Sequence, residues 1–539
     1  KIWDNKMPNF KIAVIGAGSS GLTAIKQCLD DKLDVICFEK NPHIGGLWKY
    51  VEINGDEDPH SSVYKSMSYS DFPIPYDWPT YLPNSMVAKY YEMYAEHFKL
   101  HKYIKFDTSV LNVSLLPDKK WNIKYIAKGE GVEKEEIFDY VMVCTGHHHK
   151  YKLPKYKGMD IFAGQQLHSH FYRRPSPFED KRVIVVGVGN SGMDISVELS
   201  HVASQVYLIS RRGKLPWIIP RLVMGGTPID HLKTRFNSTI IPSFLSDFVT
   251  KTIIKMTIGA PPSEFRPKTQ PSQAHPSVKS DFYERMVTGT IKVKPNIEEL
   301  LPGESRSVRF VDGTVVENID AIIYATGYLI DYPFLDKEII NGGEKISSQF
   351  EEEYRENLSW MYKFIFPPNY PNIAFIGLIQ QIGAVMPISE VQSRWVTSMI
   401  KGYAPPLPSV EEMNKSIGKY HDEIRKKYYS SSRHTIQSEM MPYIDDLAKR
   451  LNFYPYSLSI LKKYGLGTLF NVWFGLPSPI QYRLIGRQSW EGAPEALRKI
   501  NERKSKKSKS SKSLIFALIV ILFVFTKKGY FNRNWLALK

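Results

Sequence analysis

Six glycines fall into two copies of one spacing, and opposite charges follow the two copies. Gly16, Gly18 and Gly21 stand as G-x-G-x-x-G within IAVIGAGSSG, and Gly187, Gly189 and Gly192 repeat the pattern in GVGNSG. In such a turn the first glycine permits the tight bend, the second lets the backbone approach a pyrophosphate, and the third lets helix and strand pack closely. The phosphates rest on the N-terminus of the helix that follows, where N–H groups lack intrahelical partners. Eighteen residues past Gly21 stands Glu39, whose carboxylate can accept bonds from ribose hydroxyls. Eighteen past Gly192 stands Ser210, backed by Arg211 and Arg212. A carboxylate there would repel a 2′-phosphate, whereas arginine forms charge-assisted bonds to one. The second site therefore reads as NADPH, and the first as FAD or NAD.

Strands and helices must hold these turns. The run from Ile12 reads as a buried parallel strand, Leu22 to Leu29 as a helix, and Val35 to Phe38 as a second strand ending at Glu39. Lys40 to Trp48, KNPHIGGLW, is a loop with an apolar end at Leu47 and Trp48. That end either lies against a cofactor's flat ring or pins the loop to the core through Trp48. Residues 56–85 are rich in proline and read as loop. Val87 to Phe98 is an amphipathic helix, and strands of a small sheet follow to about Ile126. Tyr140 to Val143 is a strand ending in Cys144-Thr145-Gly146. The second copy repeats the order: a strand over Val183 to Val186, a helix from about Met193 to Leu199, and a strand over Val206 to Ile209. It too closes on a strand, Ile319 to Tyr324, that ends in Ala325-Thr326-Gly327. First glycine and closing glycine lie 130 residues apart in one copy and 140 in the other, the mark of an internal duplication. Ile373 to Ile376 is a further strand, and GLIQQIG precedes a helical run through Arg394 and Trp395.

The expected fold is α/β with two Rossmann-like dinucleotide-binding domains, the second inserted into the first. Residues 7–171 form the first part of one, 172–329 the other with an insert at about 213–290, 330–500 the return and C-terminal region, and 501–539 a basic linker and apolar anchor. With 539 residues the chain is long enough for two or three domains. The net charge of +16 is partly local, since RKSKKSKSSK over Arg503 to Lys512 holds six basic residues in ten, so it gives little ground for a nucleic-acid role. Cys28, Cys37 and Cys144 form no CxxC pair, which argues against a metal site, a disulfide scaffold or a redox dithiol. Leu514 to Phe525 is twelve unbroken apolar residues flanked by lysines. That is short of the ~20 needed to span a bilayer. It reads as a tail embedded in a membrane face, aided by the basic run.

Between the two copies, Phe162 to Tyr172 reads F-x-G-x-x-x-H-x-x-x-Y, with Gly164 and His168 at its fixed positions. Together with GAGSSG, GVGNSG, ATGY, FEKNPHIGGLW, CTGHH, QSRW and the apolar tail, it resembles the flavin-containing monooxygenases over essentially the whole chain. Tyr172 stands where the related Baeyer–Villiger enzymes usually carry Trp, which tilts the resemblance toward oxygenation of nitrogen and sulfur. The resemblance implies that Gly16, Ala17, Gly18, Ser19, Ser20 and Gly21 cradle the FAD phosphates. Glu39 would hold the ribose, with Leu47, Trp48 and Gln380 near the flavin. It places Gly187, Gly189, Ser191, Gly192, Met193 and Asp194 along NADPH, with Arg211 on the 2′-phosphate. His168 would link the domains rather than move protons.

The chemistry so implied uses NADPH, O2 and a C4a-hydroperoxyflavin to oxygenate soft nucleophiles, an amine nitrogen or a thioether sulfur. The implied setting is the endoplasmic reticulum membrane, with the catalytic domains facing the cytosol; assembly of several copies stays open. One departure bears on activity. After Tyr64-Lys65-Ser66 the family carries a segment whose Asn contacts the flavin and nicotinamide, whereas this chain runs on through Met67-Ser68-Tyr69-Ser70-Asp71-Phe72-Pro73. No catalytic residue is carried over. An uncoupled NADPH oxidase releasing H2O2 and a nucleotide-binding paralogue without turnover are therefore the alternatives.

Overall fold

β1 (Lys11–Ile15) runs into the first glycine turn, α1 (Ser19–Asp30) leaves it, and β2 (Asp34–Phe38) follows. Ile12, Ala13 and Val14 are fully buried, as a strand covered on both faces requires. α2 (Asn84–His97), β3 (Ile104–Lys105) and an antiparallel sheet of β4 (Thr108–Leu115), β5 (Trp121–Ala127) and β6 (Glu133–Phe138) lead to β7 (Tyr140–Val143). Next come β8 (Gln165–His168), β9 (Arg182–Val186), α3 (Asn190–Leu199) and β10 (Gln205–Ile209). α4 (Ser243–Ile258) precedes β11 (Ile291–Lys294) and β12 (Ala321–Tyr324). The chain continues through β13 (Ile373–Phe375), α5 (Val385–Ile400), α6 (Val410–Lys427), α7 (Met440–Arg450), α8 (Ser457–Phe474, broken at Gly465) and α9 (Ala493–Lys507). This computed structural model describes residues 10–50, 62–64, 68–223, 226–381, 383–428 and 431–507. Ser66 and the apolar tail from Leu514 lie outside the described residues.

Two five-stranded sheets result, ordered β13-β7-β1-β2-β3 and β8-β12-β9-β10-β11, and every neighbouring pair is parallel. In each, the strand that enters the glycine turn is central. The strand that leads into Glu39 or Ser210 lies on one side of it, and the strand that leads into Thr-Gly on the other. β13 comes after every strand of the second sheet yet pairs with β7 of the first. The fold is α/β.

Several boundaries differ from the sequence reading. Both helices start three residues earlier than expected, at Ser19 and Asn190 rather than Leu22 and Met193, because Gly18 and Gly189 are themselves the N-caps, in extended conformation. The small sheet runs to Phe138 rather than Ile126. Tyr81–Pro83 forms a short strand inside the proline-rich stretch, paired with Ser62–Tyr64. Gln165 to His168, on the near side of the expected boundary at 171/172, pairs with β12 as an edge of the second sheet.

Two buried ionic clusters tie distant segments together. Arg235, 1 % exposed, docks the 213–290 insert onto the C-terminal region: Nη1 meets Asp445 Oδ2 at 2.6 Å, and Nε and Nη2 donate to Gln481 Oε1 at 3.0 Å. Tyr482 closes the cluster by donating to Asp445 Oδ1 at 2.6 Å. In the second cluster Arg483 reaches Glu390 at 2.5 Å and Asp71 at 2.9 Å, while Lys26 of α1 reaches Asp71 at 2.5 Å. The Ser70 N–H donates to Glu390 Oε2 at 2.6 Å. The stretch just after the Ser66 junction is therefore fixed to α1, α5 and residue 483.

Candidate functional site

At the first turn the backbone, not side chains, makes the space. Gly16 has φ +98°, and a Cβ there would sit 3.0 Å from the Cys144 carbonyl oxygen. A Cβ on Gly21 would fall 1.8 Å from the Gly16 oxygen. Gly18 is different: its Cβ would meet only the Gly46 backbone, Cα at 3.7 Å and N at 3.9 Å. α1 carries no side-chain cap, so its leading N–H groups face the space above Gly18. The Glu39 carboxylate, 5 % exposed, lies against the turn: Oε2 accepts from the Ala17 N–H at 2.7 Å, and Oε1 accepts from the Asn41 N–H and Nδ2 at 2.9 and 2.8 Å. A carboxylate offers about four acceptor sites, which leaves room on Oε2 for a ribose hydroxyl. Thr145 Oγ1 and His147 Nδ1, just past β7, are buried without a partner among the described residues, an arrangement a bound molecule would relieve.

The second turn repeats this geometry. Gly187 has φ +117°, and its Cβ would meet the Ala325 oxygen at 2.4 Å; a Cβ on Gly192 would meet the Gly187 oxygen at 1.9 Å. Gly189 is again open to its own backbone, but the Arg433 guanidinium stands 3.5 Å from where its Cβ would be. α3 also lacks a side-chain cap. Ser210 is buried and donates to the Lys214 carbonyl at 2.5 Å, while Arg211 is 63 % exposed and pairs with Glu353 at 3.2 Å.

The other expected residues divide by what their side chains touch. Ser20 turns inward to Ser389, Oγ to Oγ 2.9 Å, and Met193 is fully buried in the second core, so each offers only backbone to a ligand. Ser191 is exposed at the start of α3. Asp194 pairs with Lys279 of the insert at 3.3 Å; burial nonetheless holds its carboxyl above the usual range. In the 40–48 loop the Gly45 N–H donates to the Ala17 carbonyl and Trp48 packs on the core, as a pinned loop requires, while Leu47 is 67 % exposed. The Gln380 N–H donates to the Ile436 carbonyl at 2.8 Å, which joins that segment to the Arg433 loop.

Where the two sheets meet, aromatic and imidazole rings gather. His148 lies 5.2 Å and His168 5.5 Å from the Tyr328 ring, centre to centre, and Tyr151 stacks on His168 at 5.2 Å. Burial, reinforced by Arg433, lowers the His148 pKa to about 4; burial and then His170 lower that of His168 to about 4. Both rings are neutral at neutral pH. His168 Nδ1 accepts from the His170 N–H at 3.0 Å.

Sequence reasoning missed Arg433, Glu353 and Lys279, because each comes to its turn from a distant segment and no spacing announces it. A cavity of about 390 Å³ between α6 and α7, lined by Phe364, Tyr420, Tyr428, Tyr443, Lys427 and Glu439 among others, includes no residue of either turn. Among the described residues no three His, Cys, Asp or Glu side chains converge as metal ligands would.

Known proteins resemble this chain in sequence and in fold. Residues 9–527 match the family described as FMO-like: Flavin-binding monooxygenase-like. Flavin-containing monooxygenase 5 of Cavia porcellus is 39% identical over 553 residues, covering 96% of this chain and 99% of its own. Dimethylaniline monooxygenase [N-oxide-forming] 2 of Macaca mulatta is 37% identical over 513 residues, covering 90% and 91%. The S-allyl-L-cysteine S-oxygenase of Allium sativum shares the fold with a TM-score of 0.59 at 22% identity, covering 92% of this chain and 99% of its own. Turn geometry, topology and these likenesses agree: the chain belongs to the flavin-binding monooxygenase-like family, whose members are oxidoreductases.

Proposed function

We propose that this enzyme is an NADPH- and O2-dependent monooxygenase that oxygenates soft nitrogen and sulfur nucleophiles, with FAD in the first crevice and NADPH in the second. The observation that carries the reading is the pair of glycine turns with matching backbone geometry and unlike charge, Glu39 beside one and Arg211 with Arg433 beside the other. In this reading the two sheets are the cores of two dinucleotide-binding domains. Bound flavin and nicotinamide would supply the redox and oxygen-activating chemistry. The chain's own part is to bind, orient and exclude water. N–H groups at the starts of α1 and α3 would receive the pyrophosphates. Glu39 would take the flavin-side ribose, and Arg211 the 2′-phosphate. His148 and His168, held neutral by burial, add no charge at the junction. Relatives named for N-oxide formation and S-oxygenation support the substrate class.

The apolar tail supports a membrane-attached enzyme at the endoplasmic reticulum. Among the described residues no helix is long and apolar enough to cross a membrane. Exposed Leu458, Leu466 and Phe470 on α8, with Phe244 and Phe248 on α4, favour contact with a membrane face.

The test is NADPH consumption under air with N,N-dimethylaniline or a dialkyl sulfide. The expected result is N-oxide or sulfoxide formed in step with NADPH oxidised. Peroxide formed at one per NADPH without product would make the protein an oxidase. No NADPH consumption, even with FAD bound, would make it a binding protein.

A further inference from the structure

Arg211 is already engaged. Its Nη2 lies 3.2 Å from Glu353 Oε1, and Glu353 belongs to a segment that leads back to the first sheet. That segment, Glu351-Glu352-Glu353, opens the one-turn helix Glu352–Arg355. The helix is held on several sides. Tyr354, 1 % exposed, makes a hydrogen bond of 2.8 Å between its hydroxyl and His421 Nδ1. Asn357 accepts from the Ile330 N–H at 2.8 Å and donates to the carbonyls of Tyr328 and Ser432 at 3.1 and 3.2 Å. Glu356 pairs with Lys152. The backbone under Glu353 is therefore fixed, and it holds the carboxylate within reach of the guanidinium.

We infer that Glu353 is a specificity-determining residue that competes with the 2′-phosphate of NADPH for Arg211. The inference rests on the reading of Arg211 as the phosphate's partner. A phosphate brought to Arg211 shares the guanidinium with a carboxylate already on its Nη2 and sits beside it, like charge against like. NADH carries no such phosphate and does not meet this competition. Glu353 thereby weakens the binding of NADPH and NADP+ alone. Because Arg211 and Glu353 lie on segments of different sheets, binding of the phosphate also exchanges a contact between the two halves for one within the second.

The experiment measures dissociation constants of NADP+ and NAD+ on the FAD-loaded full-length enzyme by calorimetry, with KM and kcat for NADPH alongside. The proteins are wild type, Glu353→Gln, Arg211→Ala and the double variant. Glu353→Gln is expected to tighten NADP+ by about two- to fivefold, the range open to an ion pair this exposed. NAD+ affinity and kcat should stay unchanged, and the gain should vanish in 0.5 M salt. In the Arg211→Ala background the same change should gain nothing. If Arg211→Ala weakens NADP+ selectively but Glu353→Gln has no effect, the competition is refuted while the role of Arg211 stands. If Arg211→Ala leaves NADP+ unaltered, that role fails and the competition with it. Equal tightening of NADP+ and NAD+ by Glu353→Gln would show a general change of the pocket and would also overturn the inference.

Discussion

Replacing Gly18 by alanine should separate cofactor binding from folding. At the third glycine of the turn the two cannot be separated: a Cβ on Gly21 would lie 1.8 Å from the Gly16 oxygen, and reaching a 3.4 Å contact needs a backbone shift of about 1.6 Å. Overpacking of that kind costs about 1–3 kcal/mol or more. At Gly18 the nearest atom would be Gly46 Cα at 3.7 Å, an ordinary contact, and φ is −76°, which alanine adopts freely. Only the N-cap preference is lost, on the order of 1 kcal/mol. The added methyl nevertheless points into the space above the helix N-terminus where a pyrophosphate would come closest. Losing one hydrogen bond to a charged phosphate removes about 1.5–3 kcal/mol, roughly 10- to 150-fold in affinity. Gly18→Ala should therefore unfold in urea close to wild type when both are stripped of FAD, yet purify with much less flavin. Gly189→Ala should keep its flavin and weaken NADPH, because the nearest atom to its Cβ would be Arg433 Nη1 at 3.5 Å, an ordinary contact that leaves the turn intact. The assays are the flavin-to-protein absorbance ratio, FAD titration of the apoprotein and urea denaturation. Full FAD affinity in Gly18→Ala would refute the placement of the pyrophosphate, and collapse of the apoprotein would refute the steric argument.

Two other expectations concern stability. Asp445→Ala leaves the Arg235 guanidinium, 1 % exposed, without its counter-charge, which should cost about 3–5 kcal/mol; a loss below about 1 kcal/mol in urea unfolding would show that the insert does not dock through this pair. Burial lowers the pKa of His148 and of His168 to about 4 in the fold, below the ~6.5 of an unfolded histidine. Their neutral burial is without penalty above pH ~6.5, and stability drains as pH falls from there toward 4, because only the unfolded chain gains the protons. The denaturation midpoint of the holoenzyme should fall across that window, less so in His148→Asn; equal slopes in the two proteins would exclude the ring as a cause.

What the sequence made legible follows from how local each requirement is. The glycine turns were readable because each demand, a positive φ at Gly16 or the absence of a Cβ at Gly21, is met within a few residues of the demand itself. Glu39 and Ser210-Arg211 were readable by counting, since a helix and a strand of ordinary length carry the chain to the same edge each time. The strand at Ile373 could be seen, but not that it would pair with Tyr140–Val143, because parallel pairing leaves no mark on either partner. The same limit hid the 213–290 insert's anchor. Arg235 is one arginine among many until Asp445, Gln481 and Tyr482 are brought around it from more than 200 residues away. The edge strand of the second sheet escaped notice for a related reason: Gln165 to His168 is short and only partly apolar, and its place is decided by its pairing with β12.

The two turns also show where a duplicated site is free to diverge. At the first and third glycines both copies meet atoms of their own unit, the closing strand's carbonyl and the first glycine's carbonyl, so the demand is internal to the fold and recurs unchanged. At the second glycine the copies differ in what faces them: the backbone of Gly46 at one, the guanidinium of Arg433 at the other. The residue after the second strand differs in the same sense, an acid in one copy and Ser-Arg in the other. Both changes add positive charge to the second crevice and leave the first with a carboxylate. A dinucleotide with an extra phosphate carries about two more negative charges than one without. A uniform duplication would bind both alike, whereas charge placed only at the positions free of steric demand would sort them between the crevices, as the proposed function requires, without altering either turn.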